Sequence, residues 1–425
     1  MAQSVKTKNG ATSFSPLGVG GLFAWRYFRA KKTTNAINII SWISIVAIMV
    51  GTAALILVLS VFNGFEGLVK SLYSSFYPDL KIGPTAGKNI TLTAAQLQQL
   101  RSVKGVRSIS LVVEEKALLT NGEAQANAVI KGVDENYTNV AGVAEHIVRG
   151  EFNLGTAEEP RLVLGAGVEN AVGVQSDRSL EPLLLYTGKK GSVDLQNPLN
   201  SVSSGQVYAA GTFIIQQEFD NKYVLTNLPF VQQMLGLSPD TYTAAEIALA
   251  QGTDVEDVQL AVKNSVGENY QVQTRYQQNQ SLYAVMQSEK WVIYLILSLI
   301  LVVAAFNMIG ALTMLVLEKK LDISTLHALG GSRSLIQKIF LTEGLLLAGI
   351  GGGVGMLLAL GIALAQIHFQ LIPLQGGSFL ISHFPVELHG ADFLLVGVTV
   401  VVIAFIASWI PARKAAQQQF ALRSE

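Results

Sequence analysis

The chain has 425 residues, half of them hydrophobic and only 14% charged, with a formal net charge of zero. A soluble protein carries roughly a quarter charged residues; here the deficit is concentrated in four long stretches, which excludes an ordinary soluble enzyme and predicts an integral membrane protein. There is no cysteine, so disulfides are excluded; the net charge of zero says nothing about partners, and no nucleic-acid partner is expected.

Residues 1–16 are polar and small. Residues 17–32 mix Leu22, Phe23, Trp25, Tyr27 and Phe28 with Arg26, Arg29, Lys31 and Lys32. Two readings fit this composition, an interfacial helix and a basic flank of the first span, and both place residues 1–36 in the cytoplasm. The first apolar run starts at Ile37, too far in and too long for the core of a cleavable signal. Residues 37–62 carry no charge. As a helix they would extend about 39 Å against a hydrocarbon thickness of ~30 Å, so the first span is tilted or protrudes. Beyond it, Phe62, Phe65, Val69, Leu72 and Phe76 keep helical spacing and read as a stalk into the outer compartment.

Residues 63–290 hold this stalk and a globular α+β region. Strands are predicted at 79–83, 106–113, 116–121, 126–133, 179–188, 205–215 and 222–229 from β-branching and flanking turn residues. Helices are predicted at 93–103, 230–237 and 254–266, the first capped by Thr93. Three further spans follow at 291–317, 339–369 and 393–410. Trp291 and Tyr294 mark the outer end of the second. Gly349 and Gly353, then Gly351 and Gly355, are spaced four apart in the third, as close helix packing requires.

The segment 318–338 between the second and third spans is basic, as is the 411–425 tail, whereas 370–392 has no Lys or Arg. Positive charge marks the cytoplasmic side. The consistent arrangement is four transmembrane helices, both ends cytoplasmic, with one large outer domain between helices 1 and 2. Within 318–338, Leu321, Ile323, Leu326, Ala328 and Leu329 predict a short helix that stops at Gly330-Gly331 and restarts with Ser332 as an N-cap. Its apolar residues point to more than one side, which suits a helix held in a partner's groove. Glu318, Lys319, Lys320, Asp322, His327, Leu329 and Gly330 are the candidate coupling residues.

Catalytic patterns are scarce. His368, His383 and His389 lack the close spacing of a metal set, so no metal site is expected. The segment 83–89, GPTAGKN, is one residue short of a phosphate loop and has Asn89 in place of Ser or Thr. No zinc-protease or nucleophile-elbow motif is present. The spans carry no mid-membrane carboxylate or lysine, which argues against an ion-coupled carrier and for an apolar substrate surface driven from elsewhere.

Longer stretches resemble a known family. Residues 37–66, 126–134, 161–174, 208–213, 318–355, 411–416 and 421–425 are similar to the permeases of the FtsX/MacB class, and the first helix to its LolC/LolE-type lipoprotein-releasing branch. The resemblance implies an inner-membrane permease with a periplasmic α+β domain. It implies that the chain pairs with a second permease subunit, the same or a paralogue, and with a cytoplasmic ABC ATPase dimer that holds ATP and Mg, no cofactor being bound by this chain. The ATPase would dock on the 318–330 segment. A lipoprotein would be taken from the outer leaflet between helices 1 and 2, along Ile48, Leu55, Leu59, Phe62 and Phe306, and passed to a periplasmic carrier. A hairpin at Asn197, Pro198 and Leu199 occupies the place of the family's carrier-recruiting loop, in a longer and more polar segment. Ser176-Asp177 and Phe420 depart from the family pattern. Two alternatives remain at this stage: a relay that activates an outer partner without transport, and an outside-sensing receptor, which the short cytoplasmic segments disfavour.

Overall fold

A computed structural model describes residues 35–178, 181–188, 202–374 and 383–417. The 17–32 segment, Asn197, Pro198, Leu199 and Phe420 lie outside the described residues. Two units result, one of residues 35–65, 287–373 and 383–417, the other of 66–286 with Leu374. Four helices are long and apolar enough to cross a membrane.

Helix α1 is continuous from Asn35 to Phe76, so span and stalk are one element of 42 residues. The Ser44 and Ser60 hydroxyls donate to the Ile40 and Ile56 carbonyls at 3.0 and 2.8 Å, which satisfies them without a partner helix.

In the 66–286 unit the strands β1 (Leu80–Pro84) and β2 (Ile90–Thr91) precede helix α2 (Ala94–Ser102). Then come β3 (Val106–Asn121), β4 (Ala124–Val133), β5 (Ile147–Gly150) and β6 (Arg161–Gly165), with helix α3 at Ala166–Val172. β7 (Leu183–Gly188), β8 (Val202–Phe213) and β9 (Tyr223–Asn227) lead into α4 (Leu228–Leu235). β10 (Thr241–Tyr242), β11 (Ala244–Leu249), α5 (Val255–Val266) and β12 (Tyr270–Thr274) complete it.

The main sheet runs β12-β1-β11-β3-β4-β9-β6-β8-β5. β7 pairs with both β3 and β8, so β3-β4-β9-β6-β8-β7 closes into a ring. The long β3 serves both parts. Its first half pairs with β11 in the open sheet, and its second half lies between β4 and β7 in the ring. The caps that define the helices are local. Thr93 and Gln96 form a capping box at α2, Asp254 accepts from the Glu256 and Asp257 amides at α5, and Asn227 accepts from the Phe230 amide at α4.

Several sequence expectations need correction. The strands expected at 106–113 and 116–121 are one strand, because Glu114 and Glu115 continue the ladder to β4. The 222–229 strand ends at Asn227, where the Asn227 cap and Pro229 start a helix. In the 161–174 segment 161–165 is strand and Ala166–Val172 forms α3.

Beneath the ring lies a buried charge. Lys131 of β4 is 1% exposed, with its ammonium 2.7 Å from Glu246 of β11 and 3.3 Å from Glu114 of β3. The Phe76 and Tyr137 rings stand 4.8 and 5.0 Å from the same nitrogen. Burial alone would lower the Lys131 pKa, but Glu246, Tyr137 and Glu114 outweigh it and hold the ammonium well above its usual value. Burial likewise works to raise the Glu114 carboxyl, and Lys131 and Lys81 more than reverse it, leaving it below the usual carboxylate range.

The other unit contains the α1 span, α6 (Gln280–Glu318, from Gln287 onward), α7 (Lys320–Ala328), α8 (Arg333–Phe369) and α9 (Gly390–Gln417). Glycines set the approach of α8. A Cβ on Gly351 would stand 2.8 Å from the Ile45 carbonyl oxygen of α1, and one on Gly355 would stand 2.5 Å from that of Met49. Gly352 faces Val400 of α9, whereas Gly349 and Gly353 face open space. Between helices in lipid, packing of this kind stands in for the hydrophobic effect.

Lys131→Met should destabilise the 66–286 unit by about 3–5 kcal/mol, because it leaves Glu246 buried and unpaired, and adding Glu246→Leu should recover much of the loss. Denaturant unfolding measures both. The Glu114 contribution is present above the ordinary carboxylate pKa and is lost as pH falls through the depressed folded value. The Lys131 contribution is present below the ordinary lysine pKa and is lost as pH rises through the raised folded value. Stability should therefore fall at both extremes in the wild type and more weakly in the double variant. In the bundle, Gly355→Leu should abolish stable assembly while Gly353→Leu is tolerated, as read by yield and thermal unfolding of the membrane-extracted protein.

Candidate functional site: a coupling helix and the faces of a four-helix bundle

The α7 helix begins where Lys319 leaves helical geometry after α6. It ends as expected: Gly330 takes φ +88, the Gly331 amide donates to the Leu326 carbonyl at 2.8 Å, and Ser332 caps α8 by accepting from the Leu335 amide at 3.2 Å. One residue anchors it. Ile323 is buried with Leu315, Val316, Ile336, Phe340, Ala412 and Ala415. On the opposite side Leu321 and Leu329 are each 80% exposed, flanked by exposed Lys320, Asp322 and Ala328. Glu318, Lys319 and His327 are half-buried, and Lys319 lies 3.3 Å from Asp322. The candidate coupling residues are thus divided: Lys320, Asp322, Leu329 and Gly330 present an outward surface, while Glu318, Lys319 and His327 sit closer to the bundle. Leu321 belongs to the outward set by its exposure. An exposed apolar pair on a short helix is a candidate docking feature.

The five residues expected to line an acyl path are divided differently. Ile48, Leu55 and Leu59 are buried in the bundle core with Leu301, Ala304, Met308, Leu347 and Val400. Phe62 is half-buried and Phe306 is 65% exposed. The open stripe of α1 is instead Ile39, Trp42, Ile43, Val46 and Val50, and that of α6 includes Val292, Leu295, Leu299, Val303 and Phe306. Ser41, Ser44, Thr52 and Ser60 are buried alongside Ile48, Leu55 and Leu59. Their small polar side chains were the available signal for the packed face.

A polar knot at the far end of the bundle was not anticipated. Asn63 of α1 donates to Asp392 of α9 at 2.6 Å, and Lys290 of α6 donates to Asn63 at 2.8 Å and lies 3.5 Å from Asp392. Asn63 and Asp392 are buried. One turn further along α6, the Tyr294 hydroxyl meets the Thr399 hydroxyl at 2.5 Å. Beside the knot, Gly64 packs directly on the Pro385 and Val386 backbone, where no side chain would fit. Of the outer histidines, His389 pairs with Glu387 at 3.0 Å, and the backbone of His383 forms an isolated antiparallel bridge with that of Pro373. No cluster of three metal-ligating residues occurs among the described residues.

Four apolar helices, a large α+β domain inserted after the first, and a short helix between the second and third define a transmembrane permease subunit. The chain belongs to the family of the MacB-like periplasmic core domain, which matches residues 41–265, more than half its length. The FtsX-like permease C-terminal family matches residues 294–420. The chain is 27% identical to the lipoprotein-releasing system transmembrane protein LolE of Haemophilus influenzae over 410 residues, covering 93% of this chain and 96% of that one. It is 25% identical to the LolC protein of Neisseria meningitidis over 428 residues, covering 94% and 97%. The crystal structure of the periplasmic region of MacB from Actinobacillus actinomycetemcomitans covers 51% of this chain and 98% of that one, at 11% identity and a TM-score of 0.35.

Leu321→Asp and Leu329→Asp should leave the thermal unfolding of the protein unchanged, since neither side chain is packed. Ile323→Asp should lower it by several degrees, because it buries an unpaired charge among the residues that anchor α7.

Proposed function

We propose that this chain is the permease subunit of an ABC transporter that extracts lipoproteins from the outer leaflet of the inner membrane and hands them to a periplasmic carrier. The observation that carries this reading is the similarity to LolE and LolC over more than nine-tenths of the chain, ectodomain and helices alike. In this reading the chain is a multi-pass inner-membrane protein with both ends cytoplasmic. It pairs with a second permease subunit and with a cytoplasmic ATPase dimer that holds ATP and Mg.

The ATPase grips α7 through Leu321 and Leu329, with Lys320 and Asp322 fixing register. Its closure moves α6 and α8, which flank α7 in the chain. The acyl chains follow the open stripes of α1 and α6, through Val50, Phe62, Leu295, Leu299 and Phe306, in place of the packed Ile48, Leu55 and Leu59. The carrier is recruited at Asn197, Pro198 and Leu199, in the connection between β7 and β8.

Reconstitution tests the reading. The complex is placed in proteoliposomes with a triacylated lipoprotein, and ATP-dependent transfer to a soluble carrier is measured. Leu321→Asp should cut ATPase recovery and transfer by about tenfold, the equivalent of one docked side chain. Leu299→Asp should cut transfer by a similar factor with ATPase recovery unchanged. If depletion of the protein leaves lipoprotein sorting intact while cell separation fails, the transport-free relay replaces this proposal.

A further inference from the structure

The polar knot caps a cleft that the proposed transport path does not use. A cleft of about 490 Å³ lies between α6 and α9, with Leu59 of α1 at its base. Its α6 wall is Gln287, Lys290, Trp291 and Tyr294, a single helical face, and its α9 wall is centred on Ala391, Leu394 and Leu395. The volume is within the range of ~300–1,000 Å³ typical of small-molecule sites. The two ends differ chemically. At the outer end stands the knot of Asn63, Lys290 and Asp392, and one turn further in Tyr294 and Thr399 tie the walls together. Between them the lining is almost wholly apolar, with Trp291 packed edge-on against Tyr294 at 5.7 Å. The rim residues Trp291, Leu394 and Val398 are exposed on the outside of the bundle, where lipid would stand.

We infer that this cleft binds one zwitterionic glycerophospholipid of the surrounding bilayer, with an acyl chain between α6 and α9 and the phosphate at Lys290. An ammonium has three donors, and Asn63 and Asp392 account for two of those on Lys290. The third is available to a phosphate oxygen, with the exposed Gln287 amide one turn away as a second donor. Asp392 offsets the Lys290 charge, so the mouth is dipolar rather than cationic. That complements a headgroup carrying both signs better than one carrying only negative charge. Aromatic side chains at this depth suit the boundary between headgroup and acyl chain. The bound lipid would wedge α6 against α9 at the level of the knot. The site does not depend on lipoproteins being the cargo.

Native mass spectrometry of the full-length protein in its complex tests this, after delipidation and addition of either phosphatidylethanolamine or phosphatidylglycerol. The wild type should retain one phosphatidylethanolamine in preference to phosphatidylglycerol. Ala391→Trp, which fills the mouth and leaves the knot intact, should lower retention by about tenfold, and Val398→Trp should do the same from the rim. Lys290→Gln, which keeps an amide toward Asn63 but removes the charge, should weaken retention by about tenfold. Leu357→Trp, at an exposed position of α8 outside the cleft lining, should retain the lipid as the wild type does. Thermal unfolding of each variant separates lost binding from lost fold. Equal retention in wild type and both well-folded tryptophan variants would overturn the site. Equal binding of both lipids, or occupancy by detergent or acylated protein alone, would overturn the assignment of its ligand.

Discussion

One buried ammonium joins the parts of the outer domain. Lys131 belongs to the ring through β4, reaches the open sheet through Glu246 of β11, and meets the shared strand through Glu114. The end of α1 is stacked against it through Phe76, which also packs on Phe219 and Tyr223. A charge removed from water is tolerated only where opposite charges and oriented rings surround it. That requirement fixes the relative positions of three strands and one helix end more tightly than apolar packing alone, which tolerates sliding of similar volumes.

The bundle is held by the opposite kind of contact. Its helices meet through missing side chains, Gly351 and Gly355 against the α1 backbone and Gly344 against Ser408 of α9. In lipid there is little gain from burying one apolar surface against another, so closeness of approach decides which faces pair. Side-chain polar contacts between these helices include the knot and the Tyr294–Thr399 pair. The bundle therefore leaves whole stripes of α1 and α6 open, which a permease needs if its substrate is to reach it sideways from the membrane.

Much of this was legible in the sequence because the signals were local. Uncharged runs marked the spans, Thr93 and Asp254 marked helix starts, and Gly330 with Ser332 marked the end of α7 and the start of α8. What escaped was whatever depended on a distant partner. The β11 strand, AAEIAL, breaks the apolar pattern of a buried strand at Glu246, and that glutamate makes sense only beside Lys131. Glu114 and Glu115 looked like an interruption in β3 for the same reason. Along α1 every residue near Ile48 is apolar or small, so hydropathy alone could not tell the packed face from the open one. Asn63 and Asp392 lie 329 positions apart in the chain, and nothing local announces their bond.

The closed ring also constrains how the chain can be made. β4 has its parallel partner in β9, whose residues follow about ninety positions later: Val129 pairs with Tyr223, and Val133 with Asn227. The parallel pair of β6 and β8 is likewise separated, with β7 inserted between them. Non-local closures of this kind are slow, because the chain entropy must be lost before the contacts form. The β3–β4 hairpin can be completed from local residues alone, whereas its pairings with β9 and β11 require strands that follow residue 202. Until β11 is in place a chain paired only through that hairpin has no Glu246 beside Lys131, so enclosing the charge and closing the sheet are one requirement.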